Sequence, residues 1–214
     1  METTIKIAVI GGTGKSGKFL IKQLASQNIA YKALVRNPED FETYGSKPEI
    51  IKGSVTDYQL VLMLLKDCDA VVSMLGMGIY PNPTNIFSAS TKNIIRAMYE
   101  LGIKKYIVTT GLSVNTPFDN KGVKSKTATE YMLTHYPETT LDKQEEYAIL
   151  AKSDIDWTMI RLPMIQLTGE EIPIDISLED CPGDNISAAS LALFVIEQLQ
   201  EDTFIKKTPF IANI

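Results

Sequence analysis

The chain has 214 residues, 44% hydrophobic and 22% charged, a balance that describes a globular protein long enough to bury a sizeable core. Asp and Glu outnumber Lys and Arg by 26 to 21, and the resulting net charge of −5 gives no general footing for nucleic acid or an anionic membrane surface. No apolar run approaches the roughly 20 residues of a membrane span, and Cys68 and Cys181 have no partners at metal-ligand spacing, which argues against a zinc site or a disulfide framework.

The N-terminal "METTIKIAVI" runs straight into a strand, Ile5–Ile10, with no basic stretch leading into an apolar signal core, so a cytoplasmic location is expected. A helix follows over Lys15–Gln27, with Phe19, Leu20 and Leu24 on one face. "YKALVR" (Tyr31–Arg36) is a second strand, stopped by Asn37-Pro38. "EIIKG" (Glu49–Gly53) is a short third, and Thr56-Asp57 caps a helix carrying Leu60, Leu64 and Leu65. "DAVVSML" is a fourth strand ending at Gly76, followed by a helix through "TKNIIRAMYELG" and a fifth strand, "KKYIVTT". One long helix ends near Lys152 and leads to "DWTMIRL", the sixth strand. Helix "SAASLALFVIEQL" and strand "PFIANI" close the order.

Strand and helix alternate throughout, which predicts parallel strands joined by right-handed crossovers in a doubly wound α/β sheet with helices on both faces. Three segments without a clear period, Met77–Asn85, Ser113–Lys124 and Gln166–Asp184, each follow a predicted strand. They are expected at the carboxyl edge, where such sheets bind ligands. A single domain over residues 1–214 is expected, with Gln166–Asp184 as a small C-terminal flap on the substrate side.

The loop after the first strand, "GGTGKSG", has two readings. Gly14-Lys15-Ser16 looks like the end of a triphosphate-binding loop, but the glycine required five residues before Gly14 is Val9, inside the strand. The dinucleotide pattern fits twice: Gly11, Gly14 and Gly17 give GxxGxxG, and Gly12, Gly14 and Gly17 give GxGxxG. These glycines serve a tight turn, close approach of backbone to pyrophosphate, and close packing of helix on strand. The N–H groups of Lys15 and Ser16 then face the pyrophosphate from the first turn of the helix. At the end of the second strand, where an NAD-specific site usually places Asp or Glu, stand Arg36 and Asn37. A guanidinium suits a 2′-phosphate, and Lys15 adds a second cation, so NADP(H) is favoured over NAD(H).

These residues resemble the short-chain dehydrogenase/reductase superfamily in its atypical, NmrA-like branch. "GGTGKSG" is similar to that branch's GATGxxG loop, "LVRNP" to its NADP-reading strand end, "KGSVTD" to GDVTD, "VVSMLG" to its fourth strand and "DIDWTMIRLP" to its sixth. Within the branch, "LDKQEEYAILAKSDIDWTMIRLPMI" is most similar to the biliverdin-IXβ/flavin reductase type. The resemblance implies a Rossmann-type NAD(P)-binding domain whose cofactor contacts fall on Gly11, Thr13, Gly14, Lys15, Ser16, Gly17, Arg36, Asn37, Ser54, Val55, Gly76, Met77, Thr110, Lys143 and Pro163. It makes Lys143, Thr110 and Ser113 the candidate catalytic residues and implies no metal.

Two departures bear on chemistry. Ser54 replaces the Asp that normally contacts adenine. The superfamily's Tyr-x-x-x-Lys keeps its lysine as Lys143 but has Thr139 four residues earlier, and a threonine hydroxyl is a poor proton donor near neutral pH. Tyrosine-mediated carbonyl reduction is therefore disfavoured. What remains is direct hydride transfer to a flavin or quinone-like acceptor in a dry pocket near Met77, Tyr80, Phe118 and Met164, with Met74 a further candidate for its lining. An alternative is a non-catalytic sensor of NAD(P) redox state that signals to a protein partner, and a weaker one is a nucleotide-sugar epimerase or dehydratase. The single histidine, His135, reads as a surface or turn residue, and neither cysteine has an electropositive setting that would make it reactive.

Overall fold

The β-branched runs become strands because each alternates between two apolar layers. In the computed structural model, which describes residues 5–44, 48–77 and 83–214, strand β1 (Lys6–Ile10) sends Ile7 and Val9 into one layer and Ala8 and Ile10 into the other. The same division recurs in β4 (Ala70–Ser73), β5 (Lys105–Gly111) and β6 (Asp156–Leu162). One layer is closed by helices α1 (Gly17–Ser26) and α6 (Ala188–Gln200), and the other by α2 (Tyr58–Leu65), α3 (Ile86–Leu101) and α5 (Pro137–Ala151). Strands buried on both faces account for the continuous apolar runs in the sequence.

Strands β2 (Ala30–Val35), β3 (Glu49–Lys52) and β10 (Phe210–Asn213) join this set, with β8 (Ile174–Ser177) at the far edge. Among the described residues the order is β3-β2-β1-β4-β5-β6-β10-β8. Every neighbouring pair is parallel except β8, which runs antiparallel to β10 with Phe210 opposite Ser177 and Asn213 opposite Ile174. The Rossmann-like doubly wound sheet is thus present, with one correction to the all-parallel expectation. The segment read as an aperiodic flap, Gln166–Asp184, contributes this edge strand, because the backbone of Ile174–Ser177 finds a complete antiparallel ladder along β10. A short second sheet pairs β7 (Met164–Gln166) with β9 (Asn185–Ser187) on either side of it.

A second correction concerns the single long helix expected to end near Lys152. The chain forms α4 (Val123–His135) and then α5, broken at Tyr136-Pro137. Proline disfavours helical backbone at the residue before it and is itself well placed at a helix start. Asp57 caps α2 as expected, its Oδ1 accepting from the backbone N–H of Gln59 at 2.9 Å.

The loop after β5 is held by a buried knot of charge. Arg161 of β6 is fully buried; its Nη1 donates to Asp119 Oδ1 at 2.6 Å, Nε to the Thr208 carbonyl at 2.9 Å and Nη2 to the Leu178 carbonyl at 3.2 Å, while its guanidinium lies 3.5 Å from the Phe210 ring centre. Lys121, also buried, donates to the carbonyls of Leu112 and Val114 at 2.6 and 2.9 Å and sits 3.6 Å from Asp119 Oδ2. Burial pulls both cations below their ordinary pKa values, and the single carboxylate between them opposes that shift. Asp119→Ala leaves two buried cations without their anion and is expected to cost about 3–5 kcal/mol, roughly 10 °C in thermal midpoint. Lys124→Ala removes only the exposed pair with Asp184 and is expected to cost less than about 1 kcal/mol in the same melts.

Candidate functional site

The sheet order reverses between β1 and β4, so a crevice opens beyond the carboxyl ends of those two strands. Gly11, the first residue past β1, stands at that point with φ of +79°. A Cβ added there would lie 2.7 Å from the backbone carbon of Met74, just past β4. A Cβ on Gly17, the first residue of α1, would lie 2.0 Å from the Gly11 carbonyl oxygen. No side chain fits at either position, and the helix start rests directly on the strand ends. Gly14 closes the turn by donating to the Gly11 carbonyl at 3.0 Å. Ser16 makes no side-chain capping bond and the first turn of α1 holds no acidic residue, so the positive end of the helix dipole is not neutralised from within. Thr13, Lys15 and Ser16 line this turn, with Lys15 exposed. This loop is built as a dinucleotide pyrophosphate cradle requires.

The flanking strand ends supply the remaining positions along the edge. Arg36 is exposed immediately after β2, and Asn37 turns its amide to Asp40 at 3.3 Å in the short 3-10 turn Pro38–Asp40. Ser54 Oγ is 2.8 Å from Thr56 Oγ1. Val55 buries its side chain in the core and gives its carbonyl to Asn93 Nδ2 at 3.1 Å. Past β4, a Cβ on Gly76 would meet nothing within 4 Å among the described residues. Packing among the described residues does not require that glycine, and the space beside it suits a ligand.

On the other side of the crevice, β5, α3 and α5 bring together a buried polar group. Lys143 Nζ donates to Thr110 Oγ1 at 3.4 Å and lies 4.3 Å from the centre of the Phe87 ring. Its neighbour Asp142 accepts from the backbone N–H groups of Phe87 at 2.7 Å and Ser88 at 3.2 Å, tying α5 to the first turn of α3. Burial lowers the Lys143 pKa, and the carboxylates of Glu146 and Asp142 act against that. Ser113 is buried just beyond β5, and Pro163 is half-buried just beyond β6. Thr139 lines a cavity of about 200 Å³ with Met77, Phe87 and Glu138.

The proposed acceptor slot is less uniform. Met77, Phe118 and Met164 are exposed apolar side chains, whereas Met74 is packed in the core beneath Gly11, so its place is in the protein interior rather than the slot. Tyr80 lies outside the described residues. His135 is on the surface, stacked on Tyr131 at 4.1 Å. Cys68 packs at the end of α2, where burial pushes its thiol up to about 11. Sequence reasoning missed Asp142 and Glu146. The spacing of Lys143, Glu146 and Leu150 puts them on one helical stripe with a core leucine, and that was the available clue.

Gly17→Ala is expected to lose about 1–3 kcal/mol of stability from its clash with the Gly11 carbonyl. Gly76→Ala is expected to melt within about 0.5 kcal/mol of wild type yet to weaken dinucleotide binding, as thermal melts and cofactor titrations of the two variants would show.

Residues 11–202 match the family described as NAD(P)H-binding. A Saccharomyces cerevisiae protein of the UPF0659 group is 25% identical over 227 residues, covering 98% of this chain and 93% of the yeast protein. A chloroplastic protein of Arabidopsis thaliana is 27% identical over 167 residues, covering 74% of this chain; the match spans only 58% of that protein's length. Among solved structures, a candidate NADH-flavin reductase of Streptococcus pneumoniae superposes with a TM-score of 0.76 at 19% identity, covering 98% of this chain and all of that one (100%). A short-chain dehydrogenase/reductase of Veillonella parvula in complex with NADP gives 0.77 at 13% identity, covering 98% and 94%. At these identities the superpositions speak for the fold, and with the glycine cradle at the switch point and the family match over most of its length, the chain belongs to the NAD(P)H-binding family.

Proposed function

We propose that the protein is an NADP(H)-dependent reductase of the atypical, NmrA-like short-chain dehydrogenase type, transferring hydride to a flavin or quinone-like acceptor without a tyrosine acid. The observation that carries this reading is the buried Lys143–Thr110 pair at the carboxyl edge, preserved where the tyrosine has become Thr139. The cofactor supplies the hydride when bound. The glycine loop and the α1 N-terminus hold its pyrophosphate, Ser54 and the Val55 N–H border its adenine, and Arg36 with Lys15 favours a 2′-phosphate. Thr110 orients the Lys143 ammonium, which donates to the nicotinamide ribose, while Gly76-Met77 and Pro163 flank that end.

No side chain at Thr139 can deliver a proton near neutral pH, so the acceptor takes its proton from water or carries its own. What the chain contributes is placement and the charge of Lys143. The similarity to a candidate NADH-flavin reductase agrees with this chemistry.

One observation favours a second reading. The cavity beside Thr139 is about 200 Å³, smaller than the roughly 300–1,000 Å³ of pockets that enclose drug-sized ligands. A protein that binds the dinucleotide and reports its redox state to a partner needs no larger acceptor site.

Titration with NADPH, NADH, NADP+ and NAD+ is expected to show preference for the phosphorylated pair. Arg36→Ala is expected to weaken NADPH by about tenfold, 1.4 kcal/mol, while leaving NADH unchanged. A tenfold preference for the unphosphorylated pair in the wild type would overturn the assignment. NADPH oxidation with FMN or a benzoquinone separates the two readings, since tight binding with no turnover above buffer supports the sensor.

A further inference from the structure

Glu146 is the most deeply buried carboxylate of the polar group around Lys143, with 1% of its surface exposed. It lies one turn along α5 from Lys143, on the same stripe, and interacts with it through space without a direct ion pair. Its Oε1 accepts from Thr91 Oγ1 of α3 at 2.8 Å, and its Oε2 is buried with no partner among the described residues. The groups facing it are Lys143 and Asp142 from α5, Thr91 from α3 and the buried Tyr106 phenol from β5, itself 3.3 Å from Thr91 Oγ1. Asp142 is committed to the two N–H donors of α3. A helix-buried carboxylate with one empty oxygen is poorly solvated as an anion, and this one sits beside the cation assigned to the cofactor.

We propose that Glu146 is a positioning residue that sets, through Lys143, the net charge beneath the nicotinamide, so that preference for the reduced over the oxidised cofactor depends on pH near neutrality. The inference rests on the assignment of Lys143 to the nicotinamide end. Burial pushes the Glu146 carboxyl up to about 7, with Lys143 and the Thr91 hydroxyl acting in the opposite direction. Lys143 and Glu146 titrate as a pair, and whichever of them holds the shared proton, the pair's charge falls from +1 to 0 as pH rises through that region. The oxidised nicotinamide ring carries a positive charge and the reduced ring carries none. A pair at +1 therefore repels the oxidised form selectively, and a neutral pair does not. The 2′-phosphate and pyrophosphate are common to both forms, so their own titration cancels from the ratio of the two affinities.

The test measures dissociation constants for NADPH and NADP+ from pH 6.5 to 8.5 in wild type, Glu146→Gln, Thr91→Val and Lys143→Met, with thermal melts at each pH. The wild-type preference for NADPH is expected to fall by about tenfold across the range, the equivalent of one pKa unit of coupling. Glu146→Gln is expected to keep the acid-side preference to higher pH. Thr91→Val removes a bond that favours the ionised carboxylate, so it is expected to move the midpoint upward. Because the folded-state pKa of Glu146 lies above its unfolded value, wild-type stability is expected to decline relative to Glu146→Gln as pH rises through about 7. Parallel melts for the two at every pH would show that Glu146 does not titrate there, and would overturn the proposal whatever the cofactor does. A pH-independent affinity ratio, with melts that diverge, would overturn the link to the nicotinamide. If Lys143→Met binds both forms as the wild type does, the assignment of Lys143 fails instead, and the inference falls with it.

Discussion

The approach of α1 to the ends of β1 and β4 is the constraint on which the carboxyl edge depends. Two backbone contacts set it: Gly11 against Met74, and Gly17 against Gly11, each too close for a Cβ. Were either wider, the helix start would tilt away from the crevice and its N–H groups would no longer converge on one point. The apolar layers beneath continue this geometry. Leu20, Ile21 and Leu24 of α1 pack into the same layer as Ile7 and Val9, so the helix is fixed along its length as well as at its tip. A switch-point cradle is therefore a consequence of core packing carried to the strand ends, and the ligand meets backbone already in place.

Two buried charge systems lie along the same edge and differ in kind. Around Arg161, nearly every donor has an acceptor: Asp119, three carbonyls and the face of Phe210. Such a saturated network holds one geometry, and it fixes the loop after β5 against β6 and the edge strand. Around Lys143 the accounting is incomplete. Among the described residues the ammonium has one hydroxyl partner, at 3.4 Å, and Glu146 has an oxygen with none. Incomplete satisfaction in a buried site costs stability, so its presence beside the crevice fits a group whose remaining bonds are made to a bound molecule. The first system is scaffold; the second is where the proposed coupling of ligand and proton binding is placed.

Much of this was legible from residues alone. The alternation of apolar runs predicted β1 to β6 and β10 in their order of appearance, and the glycine spacing located the tight turn between β1 and α1, because both are local consequences of backbone geometry. The break at Tyr136-Pro137 was written in the proline, but the helical residues on either side masked it. The antiparallel edge strand Ile174–Ser177 was not legible, since its acidic flanks look like solvated loop and its pairing depends on the distant β10. The same holds for Glu146 and Asp142. A carboxylate on a charged helix reads as surface until the sheet and α3 close over it, and only tertiary packing shows that "LDKQEE" faces inward.

Threonine at position 139 narrows the chemistry that the proposed reading allows. A positioned acid is commonly worth a factor of about 10²–10⁴, and nothing at Thr139 supplies it. An acceptor that localises negative charge on one oxygen would need that acid. An acceptor that spreads the charge over a conjugated ring needs it far less, and a nearby buried cation stabilises such a charge without transferring a proton. On the proposed reading Lys143 meets that description, buried and donating to Thr110. Its neighbour then matters as much as the lysine does. With Glu146 protonated the site presents an unneutralised positive charge to both cofactor and acceptor, and with Glu146 ionised most of that field is cancelled. Under the proposed reading, Thr139 and Glu146 thus act on one quantity, the charge that the site can stabilise while hydride moves.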